Sequence, residues 1–248
     1  MSRLARKFSN SGIYHIVFRG VNQQSIFEEE ADYKKLKDCI ELIKEEMKFE
    51  IYAYCFMSNH VHIILKEKEL QDISLIMKRI LTKYARWYNI KYGRSGALIA
   101  NRYKSVPVEL DEYFIHVIRY VHQNPLKAGI VQNLEEYPYS SYGEYLNGKE
   151  ITDIEFVLDM IDREEFRKFH MEEGEFEFKV TDSTKKSDED IRRYMREQFG
   201  IIQPKDILNM SKEEKIKILS ELKKEFSARQ LQRVTGVSRG LIGRIEEC

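Results

Sequence analysis

The element order strand–helix–strand–strand–helix–strand–helix over residues 13–123 predicts an α+β chain. So do a change of composition after Asn147-Gly148 and an all-helical pattern from residue 188 onward. The fold class expected is a ferredoxin-like antiparallel sheet with helices on one face, over residues 1–148. A small all-helical C-terminal domain over 188–248 follows it. Residues 149–187 between them read as an acidic helix and a linker.

Each element has its own signal. Residues 13–19 (IYHIVFR) alternate and are rich in β-formers, which predicts a strand. Residues 30–48 place Tyr33, Leu36, Cys39, Ile40, Ile43 and Met47 at helical spacing. Residues 50–56 and 60–66 are two strands joined by the short turn Met57-Ser58-Asn59. Residues 70–92 form a long helix with Leu75, Ile76, Ile80, Leu81 and Tyr84 on one side. Residues 93–101 are a glycine-containing loop. Residues 104–110 are a short extended segment, and Pro107 confines it to a sheet edge. Residues 111–123 are a helix with Asp111 as N-cap, closed by Pro125.

Composition excludes several classes. The 248 residues are 42% hydrophobic and 12% aromatic, enough for a packed core and too apolar for wholesale disorder. No apolar run approaches the roughly 18 residues that cross a bilayer, so no membrane partner is expected. The basic start, MSRLARKFSNSG, has no apolar stretch behind it and does not read as a secretory signal. Cys39, Cys55 and Cys248 have neither metal-like spacing nor an even count, which fits a reducing cytoplasm. The net charge is zero but segregated. Residues 71–110 carry eight Lys/Arg against two acids; residues 150–177 carry eleven acids against three bases. A basic middle can meet a polyanion while the acidic segment lies elsewhere.

Two short patterns carry chemistry. His60 and His62 lie two apart on a strand, so both imidazoles share a face and could hold adjacent positions of a divalent metal. The same pattern also arises by chance or on a surface. Tyr120 and Asn124 lie four apart at the end of the last helix of the first domain, with His116 one turn before Tyr120. An asparagine amide oxygen could complete a His60/His62/Asn124 site one helical turn from the Tyr120 hydroxyl. The other reading packs Tyr120 in the core and leaves Gln123 and Asn124 as a helix cap.

FMSNHVHIIL (56–65) and RYVHQNPLKAGIV (119–131) closely resemble the two signature segments of the HUH endonuclease superfamily. Within it they resemble the single-tyrosine transposases, specifically the REP-associated, IS200-like group. YHIVFRGVNQQSIF (14–27) resembles that group's first strand and following loop, and NRYKSVPVE (101–109) its stretch before the catalytic helix. The resemblance spans about residues 10–145. It implies a ferredoxin-like core and cleavage of single-stranded DNA. His60, His62 and Asn124 would be the metal ligands, Mg²⁺ or Mn²⁺ the cofactor, and Tyr120 the nucleophile. Gln123 competes with Asn124 because relatives carry glutamine as the third ligand. Tyr120 would become joined to a 5′ phosphate and release a 3′ hydroxyl. The implied partner is single-stranded or hairpin DNA; monomer and homodimer are both compatible with the sequence.

Cations track phosphates and aromatic faces stack unpaired bases. The 70–92 helix offers Lys78, Arg79, Lys83, Arg86 and Lys91, with Trp87 and Tyr88 between them. Arg102 and Lys104 lie closer in sequence to Tyr120; Arg19, with Asn22 and Gln23, follows the first strand. At the far end, 227–245 reads as two helices around Gly236, with Ser227 and Ser238 as N-caps. Leu231, Val234, Val237, Leu241, Ile242 and Ile245 would be its small core. This resembles a helix-turn-helix, with Arg239 and Arg244 exposed on the recognition helix. A plain helical hairpin is the competing reading.

Overall fold

The computed structural model describes residues 8–69, 72–100, 102–109, 112–172 and 188–245. The expected N-cap Asp111 and most of the expected linker lie outside them. The described residues divide into two compact units, 8–21 with 25–172, and 22–24 with 188–245.

The first unit is built on β1 (Ile13–Arg19), β2 (Glu50–Met57), β3 (His60–Lys66) and β4 (Lys104–Pro107). They form one antiparallel sheet in the order β2-β3-β1-β4. Helix α1 (Glu30–Met47) links β1 to β2, and α2 (Ile73–Lys91) links β3 to β4. This is the arrangement expected, with β1, β3 and the 58–59 turn at the predicted residues. Pro107, which has no N–H to donate, sits on the edge strand.

Strand alternation sorts the sheet residues between two cores. Tyr14, Ile16, Phe18, Tyr54, Phe56, Val61, Ile63 and Leu65 pack against Leu36 and Ile40 of α1 and Ile76, Ile80 and Tyr84 of α2. The expected one-sided helix layer is thus present. The opposite face is covered as well, by α3 (Glu112–His122), the short α4 (Asn124–Lys127), α5 (Tyr142–Asn147), α6 (Ile154–Leu158) and α7 (Arg163–Met171). There Val17, Ala53, Cys55 and Ile64 meet Phe114, Val117, Ile118, Val121, Tyr142, Tyr145 and Phe166. A register shift between Ile51 and Ala53 lets Tyr52 and Ala53 both join this second core.

The acidic segment expected as one helix is two, α6 and α7. Its charges lie outward while Ile154, Val157 and Phe166 are buried in the second core. The segment from 137 to 153 also runs along the outer side of β2. Asp153 N–H donates to Ile51 O (2.7 Å), Ser141 N–H to Tyr54 O (3.0 Å), and Phe56 N–H to Tyr139 O (2.9 Å). Tyr54 N–H donates to Ser141 Oγ, Ile51 N–H to Asp153 Oδ2, and the Tyr137 and Tyr145 hydroxyls to the Phe56 and Tyr52 carbonyls.

The second unit comprises α8 (Asp188–Phe199), α9 (Lys212–Glu225), α10 (Ala228–Thr235) and α11 (Arg239–Arg244). Ser227 caps α10 in a reciprocal box with Gln230, and Ser238 caps α11. Gly236 takes the left-handed conformation (φ 76°) that turns the chain between them. Leu231, Val234, Val237, Ile242 and Ile245 are buried as expected. Leu241 is not: it stands 39% exposed beside Gly240, because the six-residue helix turns only Ile242 inward.

Glu144 of α5 holds the start of the 150–153 segment. It is 4% exposed; its carboxylate accepts the Tyr54 hydroxyl (2.7 Å) and the backbone N–H groups of Glu150, Ile151 and Thr152 (2.8, 3.1 and 2.9 Å). Burial alone would raise its pKa, but the Tyr54 hydroxyl, the backbone donors and Lys37 together hold it below the ordinary value. A depressed folded-state pKa contributes stability above the unfolded-state value that is lost as pH falls through the folded one. Glu144→Gln should therefore destabilise the protein by about 2 kcal/mol at pH 7. In urea unfolding, the gap to wild type should shrink as pH drops below the usual glutamate range. A gap constant down to pH 3 would show that the charge is not what holds the segment.

Candidate active site

Register decides which side chains meet. In the β1–β3 ladder Val17 faces His62 and Arg19 faces His60; in the β1–β4 ladder Val17 faces Lys104. Directly opposed residues share a face. Thus His15, Arg19, His60, His62 and Lys104 all lie on the face that α3 covers. Arg19 and Lys104 are close enough that the Arg19 charge, after burial, lowers the Lys104 pKa.

His60 is half-buried, and its Nδ1 donates to the Asn59 side-chain oxygen at 2.6 Å, which puts the ring's lone pair on Nε2. His62 is 1% exposed, and its Nδ1 lies 3.0 Å from Nε2 of His15, itself wholly buried. The His62 Nε2 is buried with no hydrogen-bond partner among the described residues. Burial holds His62 well below the usual histidine pKa, helped by the charges of His60, His15 and Arg19. Burial also lowers His15 to about 3. Both rings are therefore neutral, the state in which imidazole can ligate a metal.

Tyr120 lies in the last turn of α3, half-buried, its ring centroid 5.9 Å from those of both His15 and His62. Burial raises its phenol pKa. The Lys127 ammonium stands 5.0 Å from the ring centroid. The Asn124 amide nitrogen donates to the Tyr120 and Val121 carbonyls (2.8 and 3.2 Å). It thus caps α3 while its oxygen stays available as a ligand. Gln123 is buried and engaged in the same way, its amide nitrogen donating to the His170 carbonyl at 3.0 Å. His116 turns toward α7, against Arg119 and edge-on to Phe169.

The cation candidates separate. Arg102 is exposed just before β4. Lys78, Lys83 and Arg86 stand exposed on α2, which packs on the other face of the sheet. The cations of the long helix and those of the histidine face therefore stand on opposite sides of the sheet. The aromatics of the long helix do not form an open platform: Tyr88 is 1% exposed, and Trp87 is half-buried against the first core with Lys91 Nζ 4.8 Å from its ring. Lys91 pairs with Asp32 and Glu29, and Arg79 with Glu46. Arg239 and Arg244 are exposed on α11 of the second unit. Among the described residues no three His, Cys, Asp or Glu side chains cluster as a metal site. Sequence reasoning missed His15 and Lys127. His15 was legible in principle as a polar residue of the same parity as Val17 and Arg19; Lys127 stands seven residues, two helical turns, after Tyr120.

Because His62 is buried and His60 is not, the two should differ in stability when truncated. His62→Ala leaves a cavity and an unpaired His15 nitrogen and should cost about 2–3 kcal/mol in urea unfolding. His60→Ala should cost about 1 kcal/mol or less. Equal costs would contradict the burial difference.

Residues 8–124 match the family model described as IS200-like transposase. A Haemophilus influenzae protein assigned as a REP-associated tyrosine transposase is 27% identical over 154 residues, covering 57% of this chain and 86% of that one. A solved REP-associated tyrosine transposase, bound to a REP hairpin, superposes with a TM-score of 0.51 at 21% identity, over 62% of this chain and 96% of that one. At that identity the superposition speaks for the fold. No helix among the described residues is long and apolar enough to cross a membrane. The sheet, the histidine strand and the tyrosine helix of the first unit thus lie within the stretch, residues 8–124, that is similar to the IS200-like transposases.

Proposed function

We propose that the chain is a metal-dependent single-stranded DNA endonuclease and strand transferase acting at hairpin-containing DNA. The observation that carries this reading is the approach of the Tyr120 ring to His62, on the face shared with His60, Arg19 and Lys104. A binding module needs neither a tyrosine beside two neutral histidines nor a buried imidazole nitrogen without a partner. The hairpin comes from the solved relative, which is bound to one.

The donor set suits a divalent cation: His60 Nε2, His62 Nε2 and the Asn124 oxygen. Bound there, Mg²⁺ or Mn²⁺ would polarise the scissile phosphate and stabilise the leaving oxygen. The chain's own groups do the rest. Tyr120 Oη attacks phosphorus; a phosphotyrosine bond to the 5′ side forms as the bond to the 3′ oxygen breaks, and that oxygen takes up a proton. Burial disfavours a free phenolate, so the Tyr120 proton leaves as the bond forms. Arg19 and Lys104 hold the flanking phosphates. A 3′ hydroxyl attacking the phosphotyrosine reverses the step and rejoins strands. Arg239 and Arg244 contact duplex backbone as part of a helix-turn-helix.

The test is incubation of the full chain with hairpin-flanked single-stranded DNA and Mn²⁺, followed by a denaturing gel. A covalent protein–DNA adduct is expected. Tyr120→Phe should abolish it while DNA affinity changes less than about 3-fold. His60→Ala and His62→Ala should each remove metal-dependent cleavage. An adduct of unchanged yield in Tyr120→Phe would reject this nucleophile; tight wild-type binding without any adduct would make the protein a binding module.

The cations give a separate expectation. Arg19→Ala and Lys104→Ala should each lower the salt dependence of single-strand binding by about 0.7 unit of log–log slope. Lys78→Ala and Lys83→Ala should leave it unchanged. Arg239→Ala and Arg244→Ala should each lower the slope on duplex DNA by about 0.9 unit. An unchanged duplex slope would mean that α10 and α11 are a helical hairpin only.

A further inference from the structure

We propose that His15 is a positioning residue that fixes the tautomer of His62 and thereby aims a lone pair, not a proton, at the site. This rests on reading His60 and His62 as metal ligands. A single proton lies between His15 Nε2 and His62 Nδ1, 3.0 Å apart, and which ring supplies it decides what the other end of His62 is. If His15 donates, neutral His62 carries its proton on Nε2. That N–H cannot ligate. If His62 donates from Nδ1, its Nε2 is a bare acceptor facing the site. Either arrangement leaves one buried ring N–H without a hydrogen-bond partner among the described residues, at His62 Nε2 in the first and at His15 Nδ1 in the second, so the two differ in what His62 offers the site.

The neighbouring ring has the second arrangement already. Asn59 Oδ1 can only accept, so His60 must donate from Nδ1 and hold its lone pair on Nε2. A matched pair of ligands requires His15 to do for His62 what Asn59 does for His60. Hydrogen bonds to the second nitrogen of a ligating histidine set its ring orientation and basicity in this way.

The surroundings point the same way. His15 is fully buried on a strand whose same-face neighbours, Ile13 and Val17, are apolar. An aliphatic residue would fill that space without the cost of burying a polar ring. Instead the ring stacks on His62, centroids 5.2 Å apart and planes within 20°. It also stands edge-on to Tyr120 at 5.9 Å. One buried imidazole thus fixes both the rotation of His62 and one wall of the nucleophile's position.

The experiment is long-range ¹H–¹⁵N NMR of histidine side chains in the metal-free full chain, paired with Mn²⁺ titration followed by EPR. Wild-type His62 is expected protonated on Nδ1 and bare on Nε2. His15→Leu, which keeps the volume but removes the acceptor, should move the proton to Nε2. It should also weaken Mn²⁺ binding roughly 10- to 100-fold. His15→Gln, whose amide oxygen can accept, should recover both the tautomer and most of the affinity. A wild-type His62 protonated on Nε2 overturns the proposal, and so does His15→Leu with unchanged tautomer and unchanged Mn²⁺ affinity. Should His15→Leu fail to fold, the wild-type spectrum and the Gln variant decide. If wild-type protein binds no Mn²⁺, the metal reading of the site falls, and the spectrum separately tells whether His62 donates to His15.

Discussion

The pairing of β1 with β3 is the constraint on which the site depends. Val17 opposite His62 and Arg19 opposite His60 put three histidines and two cations on one face. A slip of one residue would turn β1's half of that set into the first core, among α1 and α2. In a sheet covered on one side, hydrophobic alternation would forbid such a slip. Here both faces are buried, so the apolar residues alone discriminate weakly. The polar positions do more: Gly20 N–H reaches Asn59 O at the turn, and the buried His15–His62 bond exists in one register only. The residues of the candidate site thus help to specify the sheet that carries them.

Much of this was legible in the sequence, for a physical reason. Period-2 and period-3.6 patterns report which residues share a face of their own element. That located β1, β3, α1 and α3, and it paired His60 with His62. The same patterns do not report what packs on the face. The cations of α2 lie next to β4 in the chain yet on the far side of the sheet, because a crossover helix packs opposite α3. Trp87 and Tyr88, spaced among those cations, serve the first core. The 149–171 stretch looked like surface from its charge, but Ile154, Val157 and Phe166, spaced within it, close the second core. His15 went unweighed because a single histidine in an apolar strand has no signal until its cross-strand neighbour is known.

α3 brings the nucleophile candidate to the sheet, and α7 holds α3 in place. His122 bridges His170 (2.9 Å) and the Ser141 hydroxyl (2.7 Å), and His170 in turn bonds the Phe166 carbonyl. Arg119 donates to the Phe169 carbonyl and lies over the Phe169 ring. Alternate sides of one helix are therefore divided between tasks. Tyr120 faces the sheet histidines, while Arg119, His122 and Gln123 fasten α3 to the last helix of the unit. A change in α7 would reach the tyrosine through these bonds without touching any ligand.

The covering of β2 bears on self-association. An outer strand normally presents a row of unpaired N–H and C=O groups that another chain can extend. On β2 the groups of Ile51, Tyr54 and Phe56 and the Tyr52 carbonyl are taken by the 137–153 segment. At the other end of the sheet, β4 is four residues long and ends in a proline. Neither border is a template for strand addition. Among the described residues, the sheet that carries the histidines is thus guarded at both borders against edge-to-edge aggregation.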